Sequence, residues 1–407
     1  MTSEQPSPRL TEPLPGHARL FHIGPPKTGT TSLQAAAAVS RAALLEHGVR
    51  YPGRERSQRT AVAAFLGRAV QYSADPNPPA APRRAAWDVM MREVRADPTR
   101  RAWFGHEYAA SASPEQVAGF AQAIGPGLHV VVTLRSFTTM LPSVWQEYNK
   151  AGSTSTFDGF VKRTFRLPEA ERAGSKFHIR HDHAALVRRW ADVVGVDNLT
   201  VVIADRHDHS FLMTAFEDLL DLPRGLLAGA EVPSRAANRG MSTPEIEFVR
   251  TLNLRLREEG LPWREYEALM VHGGLSGMLS NRRPGPAEPS LRLTPWAAKQ
   301  ADAYQARIVD GLLASGVRMI GDVENLREPA RVRESPAQNH AGQEAVPIDA
   351  AVELAVGVIE AATRGGGPDG GWRALPGRIR DSLAAGGVRG LAAAASRYGR
   401  QLSRRWS

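Results

Sequence analysis

The chain has 407 residues, 42% of them hydrophobic and 23% charged, the balance of a globular protein with room for a large core. It contains no cysteine, which excludes disulfides, thiolate metal sites and thiol nucleophiles, and no apolar run approaches the roughly 18 residues of a membrane span. The formal charge is +9, but from Gly366 to Ser407 eight arginines face two aspartates, so +6 of it lies in that tail and argues little for a nucleic-acid partner.

Met1 to His17 is polar and proline-rich, lacks the basic-then-apolar pattern of a signal peptide, and is expected to be disordered. Leu20 to Ile23 reads as a first strand, Val49 to Tyr51 as a second and Arg101 to Gly105 as a third. An alanine-rich helix follows the first strand, with Thr31 or Ser32 as its expected cap and Gly48 at its end. Residues 54–101 carry helical patches broken at Asp75–Pro79, and residues 83–94 read as helix. Ser113-Pro114-Glu115-Gln116 opens a helix running to about Ile124. His129 to Arg135 is the clearest buried strand, followed by a helix from Phe137 to Lys150.

Beyond Gly152 the pattern is looser. Thr154 to Arg180 reads as irregular, and Asn198 to Ala204 as a strand. Helices are expected over Ala184–Val194, Phe211–Leu220, Thr243–Glu259 and Ala297–Leu313, with a proline-rich loop at Ser280–Pro289. The expected organisation is a disordered segment 1–17, one domain over 18–326, a polar linker over 327–347, and a C-terminal part over 348–407. That last part holds a helix at Ile348–Thr363 and a flexible, basic Gly/Arg/Ala tail, whose Arg378–Tyr398 stretch is suited to weak contact with an acidic membrane surface.

Strands alternating with helices at this spacing define an α/β fold: a P-loop-like, doubly wound parallel sheet flanked by helices. Ligands of such sheets bind outside the carboxyl ends of the strands. Gly24, Glu107 and Arg135 each fall at such an end, so all three are expected to face one crevice.

The most informative stretch joins the first strand to its helix: Gly24-Pro25-Pro26-Lys27-Thr28-Gly29-Thr30-Thr31-Ser32-Leu33-Gln34. A strand, a glycine-containing turn and a helix N-terminus in that order make an anion-binding nest. Gly24, Gly29 and Thr31 match the Walker A spacing, but Thr30 stands where its lysine belongs and Lys27 lies inside the turn.

Pro-Lys-Thr-Gly-Thr-Thr-Ser, with Leu-Gln after it, resembles the 5′-phosphosulfate loop of the PAPS-dependent sulfotransferases, in a bacterial version. The resemblance implies that Lys27 and the segment Thr28, Gly29, Thr30, Thr31 and Ser32 hold the 5′-phosphosulfate of 3′-phosphoadenosine 5′-phosphosulfate (PAPS). It further implies a 3′-phosphate site made by an arginine at a strand end and a serine eight residues on, the spacing of Arg135 and Ser143. Asn238-Arg239-Gly240 loosely resembles the family's late loop over the adenine and 3′-phosphate, with Arg235 an equal alternative in that stretch.

Transfer of a sulfuryl group by in-line displacement needs stabilisation of the leaving phosphate oxygen, assigned to Lys27, and a base for the acceptor hydroxyl. His106 and Glu107 sit together at the third strand's end; Glu107 is the preferred base, with His106 as alternative or partner. His178, His181, His183, His207 and His209 cluster near Asp182 and Asp208, but this mechanism needs no metal. The function so implied is sulfation of a small-molecule or glycan hydroxyl (carbohydrate, glycolipid or secondary metabolite) in the cytoplasm, where such a nucleotide donor is made. A P-loop kinase or other NTPase is one alternative, which Thr30 disfavours. A non-catalytic nucleotide-binding or membrane-associated protein on the same fold is the other.

Overall fold

In the computed structural model, residues 9–70, 79–172, 174–232, 239–333 and 346–364 are described. Among them, six strands form an all-parallel sheet: β1 (Arg19–His22), β2 (Val49–Arg50), β3 (Arg101–Phe104), β4 (Leu128–Leu134), β5 (Leu199–Ile203) and β6 (Arg318–Ile320). Their spatial order is β2-β3-β1-β4-β5-β6. Helices α1 (Thr30–Val39) and α2 (Arg41–Glu46) follow β1, and α3 (Arg59–Leu66) and α4 (Ala85–Arg95) precede β3. A 3-10 turn at Glu107–Ser111 and α5 (Pro114–Ile124) join β3 to β4.

After β4 come α6 (Phe137–Lys150), α7 (Phe157–Arg166), α8 (Glu169–Arg172), α9 (Lys176–His181) and α10 (His183–Val194). Between β5 and β6 run α11 (Phe211–Leu219), α12 (Thr243–Glu258), α13 (Trp263–Tyr266), a π-helical stretch Glu267–Leu275, α14 (Ser276–Asn281) and α15 (Pro295–Leu313). Helix α16 (Ile348–Arg364) follows β6.

Alternation along the strands divides the core into two faces. Phe21, Ile23, Phe104, Val130 and Val132 enter one apolar cluster, where Phe21 meets Phe104, Phe120 and Trp190 at centroid distances of 5.5, 5.2 and 5.8 Å. Leu20, Trp103, Val131 and Val202 enter the other, against Leu33 of α1 and Phe216 of α11. Every residue of β4 is buried, as expected of a central strand covered on both sides.

The chain enters at β1, crosses to β2, returns through β3 beside β1, and then passes to β4 on β1's other side. The connection changes direction at β1, so the carboxyl ends of β3, β1 and β4 frame the crevice where doubly wound sheets bind ligands. The fold is the expected doubly wound parallel α/β sheet flanked by helices.

Several local expectations change. Residues 9–17 are ordered against α11: Leu10 N–H donates to Asp218 Oδ2 at 2.7 Å, Leu14 N–H to Leu219 O at 2.9 Å, and the Leu14 side chain is buried. Pro13 and Pro15 donate no backbone hydrogen bond, and the Leu14 amide between them docks the segment. Thr154–Arg180 is not irregular but holds α7, α8 and α9. Phe157, Phe160, Val161 and Phe165 form a helical stripe, and Thr156 caps it by accepting from Gly159 N–H at 3.1 Å.

The segment after 326 is not wholly linker either. Leu293 pairs with residues 331–333, donating to Arg331 O at 2.8 Å and accepting from Arg333 N–H at 2.9 Å. Helix α16 packs on the π-helical stretch through glycines, a Cβ at Gly273 coming within 2.7 Å of Gly357 O. The basic tail, and with it the expected membrane contact, lies outside the described residues. No described helix is long and apolar enough to cross a membrane.

Candidate active site at the ends of β1, β3 and β4

The β1–α1 loop is shaped from below by a buried hydrogen-bond chain. Thr28 Oγ1 donates to Pro25 O at 2.7 Å, which uses its proton. Thr133 Oγ1, 2.9 Å away, is therefore the donor to Thr28, and His22 Nε2–H donates in turn to Thr133 at 3.1 Å. This order places a proton on Nε2 of His22, and burial, which lowers its pKa to about 3, keeps the ring neutral. Gly24 is flush with the same threonine; a Cβ there would collide with Thr133 Oγ1.

The loop backbone alternates into left-handed conformations, with φ of 73° at Lys27 and 90° at Gly29. For lysine that conformation costs about 1–2 kcal/mol, and such strain concentrates at functional sites. Helix α1 begins at Thr30 with Gly29 as N-cap and without a side-chain cap. The expected cap at Thr31 or Ser32 is therefore replaced by backbone geometry. The first intrahelical bonds run from Ser32 and Leu33 to Gly29 O, leaving the amides of Thr30 and Thr31 without an intrahelical acceptor and with the helix dipole behind them.

β3 delivers the next two residues. Its register sets Phe104 beside Phe21, and a Cβ at Gly105 would strike His22 O, so only glycine lets the chain pass here. Gln58 anchors the far side, accepting from Gly105 N–H at 3.1 Å. His106 is buried and its Nδ1 accepts from Tyr108 N–H at 3.2 Å. Burial, with Arg59 and Arg68 nearby, lowers its pKa to about 3, so the ring is neutral with its proton on Nε2. Glu107 reaches α1, where Thr30 Oγ1 donates to its Oε2 at 3.4 Å. Burial raises the Glu107 pKa, against the pull of Arg180 and Lys27.

β4 ends at Leu134, and Arg135 is exposed beyond it. Ser143 lies on α6, partly exposed. Among the described residues, neither side chain has a hydrogen-bond or ion-pair partner. The hydroxyls of Thr31 and Ser32 are likewise uncommitted among the described residues.

Lys27, in contrast, is engaged. Its Nζ lies 2.6 Å from Glu147 Oε1, and Lys150 Nζ lies 2.9 Å from the same oxygen. Burial pushes the Glu147 carboxyl up, but Lys150 and Lys27 together bring it down to about 2. The Lys150 pKa is lowered by burial and by Lys27, with Glu147 opposing.

Arg239 and Gly240 are reached from α6 through Gln146, which donates to Met241 O at 3.0 Å and accepts from Met241 N–H at 2.9 Å. Arg239 is bidentate to Glu245, with both bonds at 2.8 Å, so its guanidinium is already committed to a carboxylate. Asn238 and Arg235 lie outside the described residues.

The structure thus brings Lys27, Thr30 and Glu107 together directly and sets Arg135 at the adjoining strand end. Sequence reasoning missed Glu147, Lys150, Thr133 and the buried Arg180. Glu147 carried a signal, since it lies four residues after Ser143 on one helix face. Thr133 and Arg180 meet the site only through tertiary structure.

The histidines of the α9–α10 junction serve the core. His178 Nδ1 lies 3.0 Å from Ser175 Oγ, His181 and His183 are buried, and Asp182 caps α10 by accepting from Ala185 N–H. Among the described residues no three His, Cys, Asp or Glu side chains converge as a metal-binding group.

No family model and no curated protein matches the chain. Among solved structures it is similar to a sulfotransferase from Alicyclobacillus acidocaldarius, with 15% identity, 76% of this chain and 99% of that chain covered, and a TM-score of 0.38. At that TM-score the overlap assigns neither activity nor site.

Proposed function

We propose that the chain is a cytoplasmic PAPS-dependent sulfotransferase acting on a hydroxyl of a carbohydrate, glycolipid or secondary metabolite. One observation carries the reading. A loop whose lysine is Lys27 rather than a Walker lysine lies beside a strand end where Arg135, with Ser143 eight residues on, has no partner among the described residues. An uncommitted guanidinium at that position suits a second phosphate apart from the first, the group that distinguishes PAPS from ATP.

In this reading Lys27, Thr28, Gly29, Thr30, Thr31 and Ser32 receive the 5′-phosphosulfate, and Arg135 and Ser143 the 3′-phosphate. Gly240 and Arg239 border the adenine side, and Arg239 acts there by holding the segment to Glu245; Asn238, the third residue assigned to this loop, lies outside the described residues. The acceptor oxygen attacks sulfur while the bond from sulfur to the bridging phosphate oxygen breaks. The acceptor's proton passes to Glu107, and the charge released on the phosphate meets Lys27. The products are a sulfate ester and 3′,5′-ADP.

The tautomer of His106 supports Glu107 as the base. With Nδ1 accepting from Tyr108 N–H and Nε2 protonated, the neutral ring has no lone pair to offer. His106 is then a hydrogen-bond donor. The raised pKa of Glu107 makes its carboxylate a better proton acceptor than a solvated one.

Calorimetric titration with 3′,5′-ADP, ADP and Mg·ATP tests the proposal. It requires preference for 3′,5′-ADP, lost in Arg135→Ala. Equal or tighter binding of Mg·ATP would overturn it in favour of a kinase or NTPase.

A further inference from the structure

The cation of the loop already has an anion. Lys27 Nζ and Lys150 Nζ share one oxygen of Glu147, at 2.6 and 2.9 Å. A carboxylate at the edge of an anion-binding nest repels the ligand the nest is shaped for, unless it has work to do on the lysine. We infer that Glu147 is an internal counter-ion for Lys27, holding the ammonium until a phosphate- or sulfate-class anion enters the loop and then yielding it. Glu147 is thus a positioning residue that acts through Lys27. The inference rests on reading the loop as an anion site, and not on which nucleotide the loop takes.

Three features fit an exchange of partners rather than a permanent bridge. First, both lysines meet Glu147 Oε1, so when Lys27 leaves, the carboxylate keeps Lys150 and is never stranded. Second, the pair is half-wet: the side chains of Lys27 and Glu147 are 28% and 40% exposed, where an ion pair is weak enough for a polyanion to displace. Third, Lys27 stands on a left-handed backbone between Pro26 and Thr28, and Thr28 is pinned to Pro25 O and Thr133. The backbone is held, so the flexible side chain makes the switch.

The test is a double-mutant cycle on the full chain, with magnesium-free inorganic pyrophosphate as the probe. Wild type, Glu147→Gln, Lys27→Met and the double variant are titrated, and each melting curve is recorded to show a retained fold. Glu147→Gln is expected to bind pyrophosphate about 2- to 5-fold tighter than wild type, the scale of a partly exposed ion pair. The gain disappears in the Lys27→Met background, because the two residues act as one unit.

An equal gain in both backgrounds would make Glu147 a bystander charge and overturn the inference. Unchanged or weaker binding by Glu147→Gln overturns it too, as does absence of pyrophosphate binding in both. Preference for Mg·ATP over 3′,5′-ADP removes the sulfotransferase reading and leaves this cycle standing.

Discussion

Two charge clusters flank the candidate site, and they are built to opposite specifications. In the first, Lys27 and Lys150 share Glu147 with side-chain exposures of 28%, 18% and 40%. In the second, Glu245 is fully buried and is shared by Arg239 and Arg282; Arg282 also pairs with Glu288 and, at 2.8 Å, with Asp349 of α16. The wet cluster can change partners at small cost. The dry one cannot, because Glu245 and Arg282 at its centre are buried and either one losing its partner is left as a buried charge. Of the two lysine and arginine sets near the site, one is free to follow a ligand and the other fixes the frame around it.

The sharpest way to break this contrast is Glu245→Ala. It leaves Arg239 and Arg282 facing each other without their common carboxylate and is expected to cost about 3–5 kcal/mol of stability. Thermal unfolding of the full chain measures it. The corresponding removal in the wet cluster, Glu147→Gln, should leave the melting temperature within the range of ordinary surface substitutions. Equal losses from the two would erase the distinction.

Acid sharpens the contrast from the other side. His22 and His106, under and beside the loop, are neutral in the fold, with pKa values lowered to about 3 against 6.5 when exposed. Below pH 6.5 the unfolded chain takes up protons that the fold refuses, so stability falls as pH falls toward 3. Each histidine contributes up to about 1.4 kcal/mol per pH unit across that window. Glu245, whose pKa is lowered below 4.5 by Arg239 and Arg282 against the opposing push of burial, begins to matter only below 4.5. A plot of melting temperature against pH should therefore bend downward near 6.5. Replacing His22 with Gln should flatten that bend, and an unchanged bend would mean that the buried imidazole takes up its proton in the fold as readily as in the unfolded chain.

The parts of this site legible in the sequence were those written in contiguous residues. The β4 run, the Gly24–Ser32 loop and the spacing of Arg135 from Ser143 depend on local pattern, and the sheet sets Gly24 and Arg135 just beyond the carboxyl ends of the neighbouring strands β1 and β4. Helix α7 is legible in the spacing of Phe157, Phe160, Val161 and Phe165, against the irregular reading of Thr154 to Arg180. Strand β6 has only three residues at the sheet's edge, too few for a periodic signal. Thr133 beneath Gly24 depends on strand register, and Arg180 comes near Glu107 by packing between elements distant in the chain. Such partners follow from the fold and not from any motif.

Removal of Arg135 has a smaller and more selective effect. Its side chain is exposed and has no partner among the described residues, so Arg135→Ala should leave stability within about 0.5 kcal/mol of wild type. Its loss should show in binding alone: about tenfold weaker affinity for 3′,5′-ADP, the scale of one charge-assisted hydrogen bond, with 5′-AMP affinity unchanged. Equal weakening for both nucleotides would place the guanidinium elsewhere than at the 3′-phosphate.

The smallest effect belongs to Lys150, and its sign is the informative part. Lys150 and Lys27 compete for one oxygen of Glu147. Lys150→Met therefore gives Glu147 wholly to Lys27 and makes the loop lysine harder to withdraw. Pyrophosphate affinity is expected to fall about twofold, opposite in direction to the gain from Glu147→Gln. Loss of a positive charge near an anion site would also weaken binding, so the wild-type background alone does not separate the two causes. In the Glu147→Gln background they part: through-space attraction still weakens binding when Lys150 is removed, whereas competition for Glu147 has nothing left to act on. A fall seen only while Glu147 is present identifies Lys150 as the residue that keeps the hold on Lys27 loose.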